Sequence, residues 1–115
     1  LKALFPDDPD GRAAVRQAFA RFDEPTYLHQ VVARLETGEL LRFPDLPAAL
    51  AGYSPGHLEW RSHFHVPIFV EDYGVLRSTQ DDIREVLRLQ AATPFTGQLE
   101  VETYTWDVLP AGLKL

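Results

Sequence analysis

The sequence predicts an α/β fold of strand–helix–strand construction, and two alternating stretches with a helical segment between them predict it. Trp60-Arg61-Ser62-His63-Phe64-His65-Val66-Pro67-Ile68-Phe69 alternates with period two, so Arg61, His63 and His65 share one face and Trp60, Phe64 and Val66 the other. Gln98-Leu99-Glu100-Val101-Glu102-Thr103-Tyr104-Thr105-Trp106 repeats the scheme, with Glu100 and Glu102 opposed to Leu99 and Val101. Between them Ile83, Val86, Leu87 and Gln90 or Ala91 fall at helical spacing as a buried stripe. Ser78 or Thr79 caps that helix, Asp81 and Asp82 suit its dipole, Arg84 and Arg88 lie outside, and Thr93-Pro94 stops it. A strand near 60–66, a helix near 79–91 and a strand near 98–106 make a βαβ unit, so the two strands should be parallel.

The rest of the chain supplies simpler elements. Asp10 is a candidate cap for a helix carrying Val15, Ala18, Phe19 and Phe22, which should end near Asp23-Glu24-Pro25 because a residue before proline avoids the helical region. Tyr27-Leu28-His29-Gln30-Val31-Val32 and Leu40-Leu41-Arg42-Phe43 flank the turn signal Glu36-Thr37-Gly38-Glu39, which reads as a small β-hairpin insertion. Asp45 to Gly52 has a cap, an early proline and a closing glycine, and suits a short helix. Glu71 to Arg77 reads as a loop.

Composition bounds the function. At 115 residues the chain is one domain at most, with 45% hydrophobic and 24% charged residues of a globular protein. Eleven basic residues against 17 acidic ones give a formal charge of -6, which disfavours non-specific binding to nucleic acid or to an anionic membrane. No apolar run approaches the roughly 20 residues of a membrane span. The absence of cysteine excludes disulfides and thiolate metal sites and suits a reducing cytoplasm. A chain that starts with Leu and holds no Met is expected to be a fragment.

The chemistry sits on the two alternating stretches. The helix of a βαβ unit covers one face of the sheet, which should be the apolar face of Trp60, Phe64, Val66, Leu99 and Val101. Arg61, His63, His65, Glu100 and Glu102 then converge on the other face. A second helix layer fits such a face badly, whereas the inside of a (β/α)8 barrel gathers polar residues at the C-terminal strand ends. His65 and Glu102 lie nearer that mouth than His63 and Glu100. Imidazole and carboxylate are good ligands for a divalent metal such as Mn, Zn, Co or Mg, though a catalytic ion needs at least three protein groups. Without a metal the pair suits proton transfer. The competing reading is an antiparallel sheet whose polar face looks at water. His29 is a further candidate for substrate contact.

His63-Phe64-His65-Val66-Pro67-Ile68-Phe69, Ser78-Thr79-Gln80 and Leu99-Glu100-Val101-Glu102-Thr103-Tyr104-Thr105-Trp106-Asp107-Val108-Leu109-Pro110 resemble the EboE-like metabolite-traffic proteins, as do Tyr27 to Val32 and Asp45-Leu46-Pro47. That family belongs to the xylose isomerase-like TIM barrels, the superfamily of sugar and sugar-phosphate isomerases and epimerases. The resemblance implies that residues 1–115 are a single partial domain, the C-terminal part of a barrel with strands 7 and 8. It implies metal ligation by His65, the second His of His-Phe-His, and by Glu102, while the remaining ligands of the superfamily have no counterpart here. Val66-Pro67-Ile68-Phe69 departs from the acid-plus-Arg segment that comes after His-Phe-His in the epimerases.

Two functions are expected. The first is a metal-assisted isomerase- or epimerase-like enzyme on a small polar metabolite, with His65 and Glu102 on the metal. Glu100 and His63 would serve as catalytic groups, and Arg61 and His29 would bind substrate. The second is a non-catalytic metabolite-binding or traffic protein. A quarter of a barrel leaves sheet edges open, so the fragment is expected to self-associate through one of them.

Overall fold

The computed structural model describes residues 1–102 and 110–113. Its elements in chain order are β1 (Lys2–Leu4), α1 (Pro9–Ala20), β2 (Val31–Leu35), β3 (Leu40–Phe43), α2 (Leu46–Ala51), β4 (His57–Ser62), β5 (Asp72–Tyr73), β6 (Leu76–Arg77) and α3 (Gln80–Ala92), with a short 3-10 turn at Ala111–Leu113. The strands form one open sheet in the order β3-β2-β4-β1-β6-β5, and every pairing is antiparallel.

Local chemistry accounts for the helices. Asp8, not the expected Asp10, caps α1 by accepting from Gly11 N at 2.6 Å, because Pro9 fills the first helical position where no N–H is needed. A Cβ at Gly11 would stand 2.7 Å from both Asp8 Oδ1 and Pro6 Cγ, so the close approach of cap and helix requires glycine there. Asp45 caps α2 and Gly52 ends it, as the sequence indicates. Val15 and Phe19 of α1 and Leu46 and Ala49 of α2 are buried against Ala3, Val31, Ala33, Trp60 and Leu76. The two helices therefore cover one face of the sheet, and Lys2, Leu4, Arg34, Arg42, Glu59, Arg61 and Arg77 alternate onto the other.

The core is built around Trp60. Its ring meets Phe5 edge-on at 5.3 Å, Phe19 at 5.6 Å and Tyr53 at 6.3 Å. Its Nε1–H donates to Nδ1 of the buried His57 at 3.0 Å, which requires His57 neutral at that nitrogen. Arg12 ties the same segment down by donating to the carbonyls of Pro55 and His57.

The expected barrel portion is overturned. β4 stops at Ser62, short of the predicted 60–66, and both of its edges are occupied, by β1 on one side and by β2 on the other. No edge is left for a parallel strand. Residues 98–102 form no strand, and the remainder of the predicted strand, 103–106, lies outside the described residues. The chain does hold strands of like direction, β1 and β2, joined through α1; β4 lies between them and runs opposite to both. The β2–β3 hairpin forms as expected, yet as part of the main sheet and not as an insertion. The expected loop at 71–77 contains a second hairpin, β5–β6, turned at Gly74 with φ 80°. The helix at 79–91 is present as α3, but none of its residues is buried; Ile83, Val86 and Leu87 are 36%, 45% and 46% exposed.

His57 gives the fold an acid-side dependence. Burial first, and the Arg12 guanidinium second, hold its imidazole below the ordinary 6.5. The unfolded chain takes up the proton first, so this contribution is fully present above pH 6.5 and is lost as pH falls through the lowered folded value. In urea titrations the wild type is expected to lose up to about 1.4 kcal/mol per pH unit from this group on acidification. His57→Asn keeps an acceptor for Trp60 without titrating, and its stability should fall less steeply over the same range.

Candidate functional site

The titratable residues gather where the connection from α1 to β2 runs beside the segment that leaves β4. Pro25 breaks the chain after α1, and the Glu24 carboxylate folds back to accept from Thr26 N at 2.6 Å and Tyr27 N at 3.1 Å. His29 N donates at 2.9 Å to Asp45 Oδ1, the same oxygen that accepts from Leu46 N at the start of α2. One carboxylate thus ties the connection to a helix cap.

His29 sits inside this corner, 3% exposed. Its Nε2 is 3.1 Å from Glu24 Oε1, an ion-pair distance without hydrogen-bond alignment. Its Nδ1 lies 3.4 Å from the carbonyl of His63, and its ring packs on Phe64 at 4.7 Å. Burial works to raise the Glu24 carboxyl, but the hydrogen bonds from Thr26 and Tyr27 and the attraction of His29 outweigh it and hold Glu24 below its ordinary 4.5.

The paired histidines lie just outside. After Ser62 one more backbone bond, His63 N to Gln30 O at 2.9 Å, continues the β2 side before the chain turns away toward Pro67. His63 and His65 bring their ring centroids to 5.1 Å, and Tyr27 packs on His65 at 5.4 Å. His65 Nε2 stands 3.9 Å from Glu102 Oε2, and its Nδ1 is buried without a hydrogen-bond partner among the described residues. Tyr27 also lines a neighbouring cleft of about 380 Å³, walled by residues 23–28 with Asp45 and Pro47.

The structure therefore brings His63, His65 and Glu102 together, with His29 linked to them through the His63 carbonyl. Arg61 goes elsewhere: its Nη1 donates to Asp82 at 2.8 Å and its Nε to Glu59 at 3.4 Å. Burial opposes its charge, but Glu59 and Asp82 outweigh that and raise its pKa. Glu100 is exposed and makes no hydrogen bond or ion pair among the described residues. Sequence reasoning does not mark Glu24, Tyr27 or Asp45 as site residues. The signal for Glu24 is local, a carboxylate before proline with two free N–H groups behind it; Asp45 is visible only as a cap.

The described residues do not complete a metal centre. His65 and Glu102 offer one nitrogen and one oxygen, and among the described residues no group of three His, Asp or Glu side chains stands close enough to hold an ion. What the pair offers by itself is an imidazole and a carboxylate able to exchange or share a proton with a polar ligand.

The fold and this corner define a small mixed α/β domain with an antiparallel sheet. Compared with protein-family models, with curated proteins and with solved structures, the chain matches none. No helix among the described residues is long and apolar enough to cross a membrane.

Glu24 anchors the corner, and its lowered pKa makes that anchor pH-dependent. Its contribution is present above the ordinary 4.5 and is lost as pH falls through the depressed folded value. Glu24→Gln is expected to cost about 1–3 kcal/mol at pH 7, with the gap to wild type closing on strong acidification. A pair of urea titrations, one neutral and one near pH 3, measures both.

Proposed function

We propose that this chain is a binding unit for a small polar metabolite, with His63, His65 and Glu102 as its polar contacts and Tyr27 as an adjoining wall. The observation that carries this reading is the approach of His65 Nε2 to Glu102 Oε2 at 3.9 Å, from segments far apart in the chain. Imidazole and carboxylate there present one group able to donate and one able to accept, which suits hydroxyl and carbonyl groups. The resemblance of His63 to Phe69 and of Leu99 to Pro110 to metabolite-traffic proteins supports the same reading. A divalent metal enters it only with a third donor that the described residues do not supply.

Turnover of the isomerase type is the second reading, because the same pair suits proton transfer. A binding screen by NMR against sugars, sugar phosphates and isoprenoid-type precursors, with product assays in parallel, separates the two. Saturable binding without conversion is expected, weakened about tenfold or more in His65→Ala and Glu102→Gln and unchanged in Glu100→Gln. Conversion of any of these compounds would replace the carrier by an enzyme, and no binding by the wild type at millimolar ligand would end both.

A cytoplasmic setting, suited by the lack of cysteine, belongs to this proposal, as does self-association through an open sheet edge. β3, with Leu40 at 48% exposure, ends the sheet on one side. Light scattering at increasing concentration should show a rising mean mass; a constant monomer mass would sink the self-association.

A further inference from the structure

The outer face of the sheet carries a cation row. Strand register places Arg42 opposite Val32, Val32 opposite Arg61, Arg61 opposite Lys2 and Lys2 opposite Arg77. Four basic side chains thus lie in one line across five strands, a span of about 19 Å at the usual strand spacing. Arg34, one position pair along β2, lies on the same face. The same face also carries Glu59, which pairs with Arg34 at 3.3 Å and with Arg61 at 3.4 Å, and Asp72, which lies opposite Arg77 at the end of the row.

Part of the row is already occupied by carboxylates from within the chain. Lys2 Nζ lies 2.7 Å from Asp81 and 3.5 Å from Asp82, and Arg61 reaches Asp82 at 2.8 Å. Both acids belong to the first turn of α3, which buries no residue of its own. One further bond, Gln80 Nε2 to the Ile68 carbonyl at 3.0 Å, holds its start. Solvent-exposed ion pairs of this kind contribute little each and weaken with salt. Arg77 pairs with Glu71, whereas Arg42 makes no ion pair among the described residues.

We propose that this row is a docking surface for a carboxylate-rich peptide segment of a protein partner, and that Asp81 and Asp82 of α3 occupy its centre as a competitor in cis. Charge complementarity selects the occupant. The anions that α3 seats on Lys2 and Arg61 are adjacent peptide carboxylates, with Glu59 a further partner of Arg61, and the row continues past them to Arg42 on one side and Arg77 on the other. The acidic balance of the whole chain works against a long nucleic acid, which would meet repulsion beyond the row. An incoming acidic segment exchanges one set of weak, screened pairs for another and gains Arg42.

The test is fluorescence anisotropy with labelled hexa-aspartate and with a labelled single-stranded oligonucleotide of six bases, at low salt. The Asp81→Asn/Asp82→Asn double variant is expected to bind hexa-aspartate about tenfold more tightly than wild type, with the gain lost on adding Arg42→Gln or Arg61→Gln. Arg84→Gln, on α3 and outside the row, should leave binding unchanged. Equal affinity of wild type and double variant, or indifference to Arg42→Gln, would overturn the proposal. Tighter binding of the oligonucleotide than of the peptide would assign the row to phosphodiesters and overturn it equally. Should the double variant fail to fold by circular dichroism, an NMR titration of wild type with hexa-aspartate decides. Shifts at Arg42, Arg61 and Arg77 support the surface, and their absence at millimolar peptide refutes it.

Discussion

The structure depends on the occupation of both edges of β4. β1 takes one edge through Lys2, Ala3 and Leu4, and β2 takes the other through residues 31–35, so β4 is flanked on both sides within the sheet. That position puts Trp60 where α1 can cover it with Phe19, and where β1 delivers Phe5 to its ring edge. It also makes β4 end where its neighbours end: Val31 and Leu1 supply the last partners at Ser62, apart from one further bond from His63 to Gln30. The segment from Phe64 to Pro67 is released from the ladder and turns across the α1–β2 connection. The paired histidines owe their position to that release and not to the tip of a barrel strand.

The two faces of the sheet are held by different physics. On the covered face, area burial and aromatic packing dominate, with Phe5, Phe19, Tyr53, Trp60 and Phe64 in one contact chain. Buried His57 accepts there from Trp60 Nε1–H, and burial lowers its pKa. On the open face, charge pairs between Lys2, Glu59, Arg61 and the start of α3 take over, and they do so while leaving the apolar stripe of α3 uncovered. The site corner lies outside both regimes. It is held by carboxylates, Glu24 and Asp45, that accept from backbone N–H groups and so tie a proline-broken connection to a helix cap.

Much of the local structure is legible in the sequence. Alternation around Trp60 correctly separates the buried Trp60 from the exposed Arg61, and the caps and breakers around α2, the β2–β3 turn and α3 mark real boundaries. The sequence predicts His65 and Glu102 at the ends of neighbouring parallel strands; among the described residues no such strands form, and the 3.9 Å approach of the two comes instead from the segment that leaves β4 and the stretch after α3. Arg61 is a second departure. Period two places it with His63, yet nothing in the period reveals that Glu59 beside it on the same face, and Asp82 on α3, will claim its guanidinium. The stripe on α3 is expected to be buried and is not, because helical spacing reports which residues share a face and not whether anything lies against it.

By itself the sequence determined which residues point together: the apolar face under Trp60, the cap at Asp45 and the turn at Gly38. These depend on neighbours within a few positions, where backbone geometry is nearly the same in any fold. Only the tertiary structure decided strand direction and strand neighbours. A period of two is unchanged when a strand is reversed, so parallel and antiparallel partners look alike until the edges are assigned. β1 and β2 reached β4 from both sides and left no edge for the carboxylate stretch. That single allocation, made by long-range contacts, turned an expected barrel wall into an open antiparallel sheet.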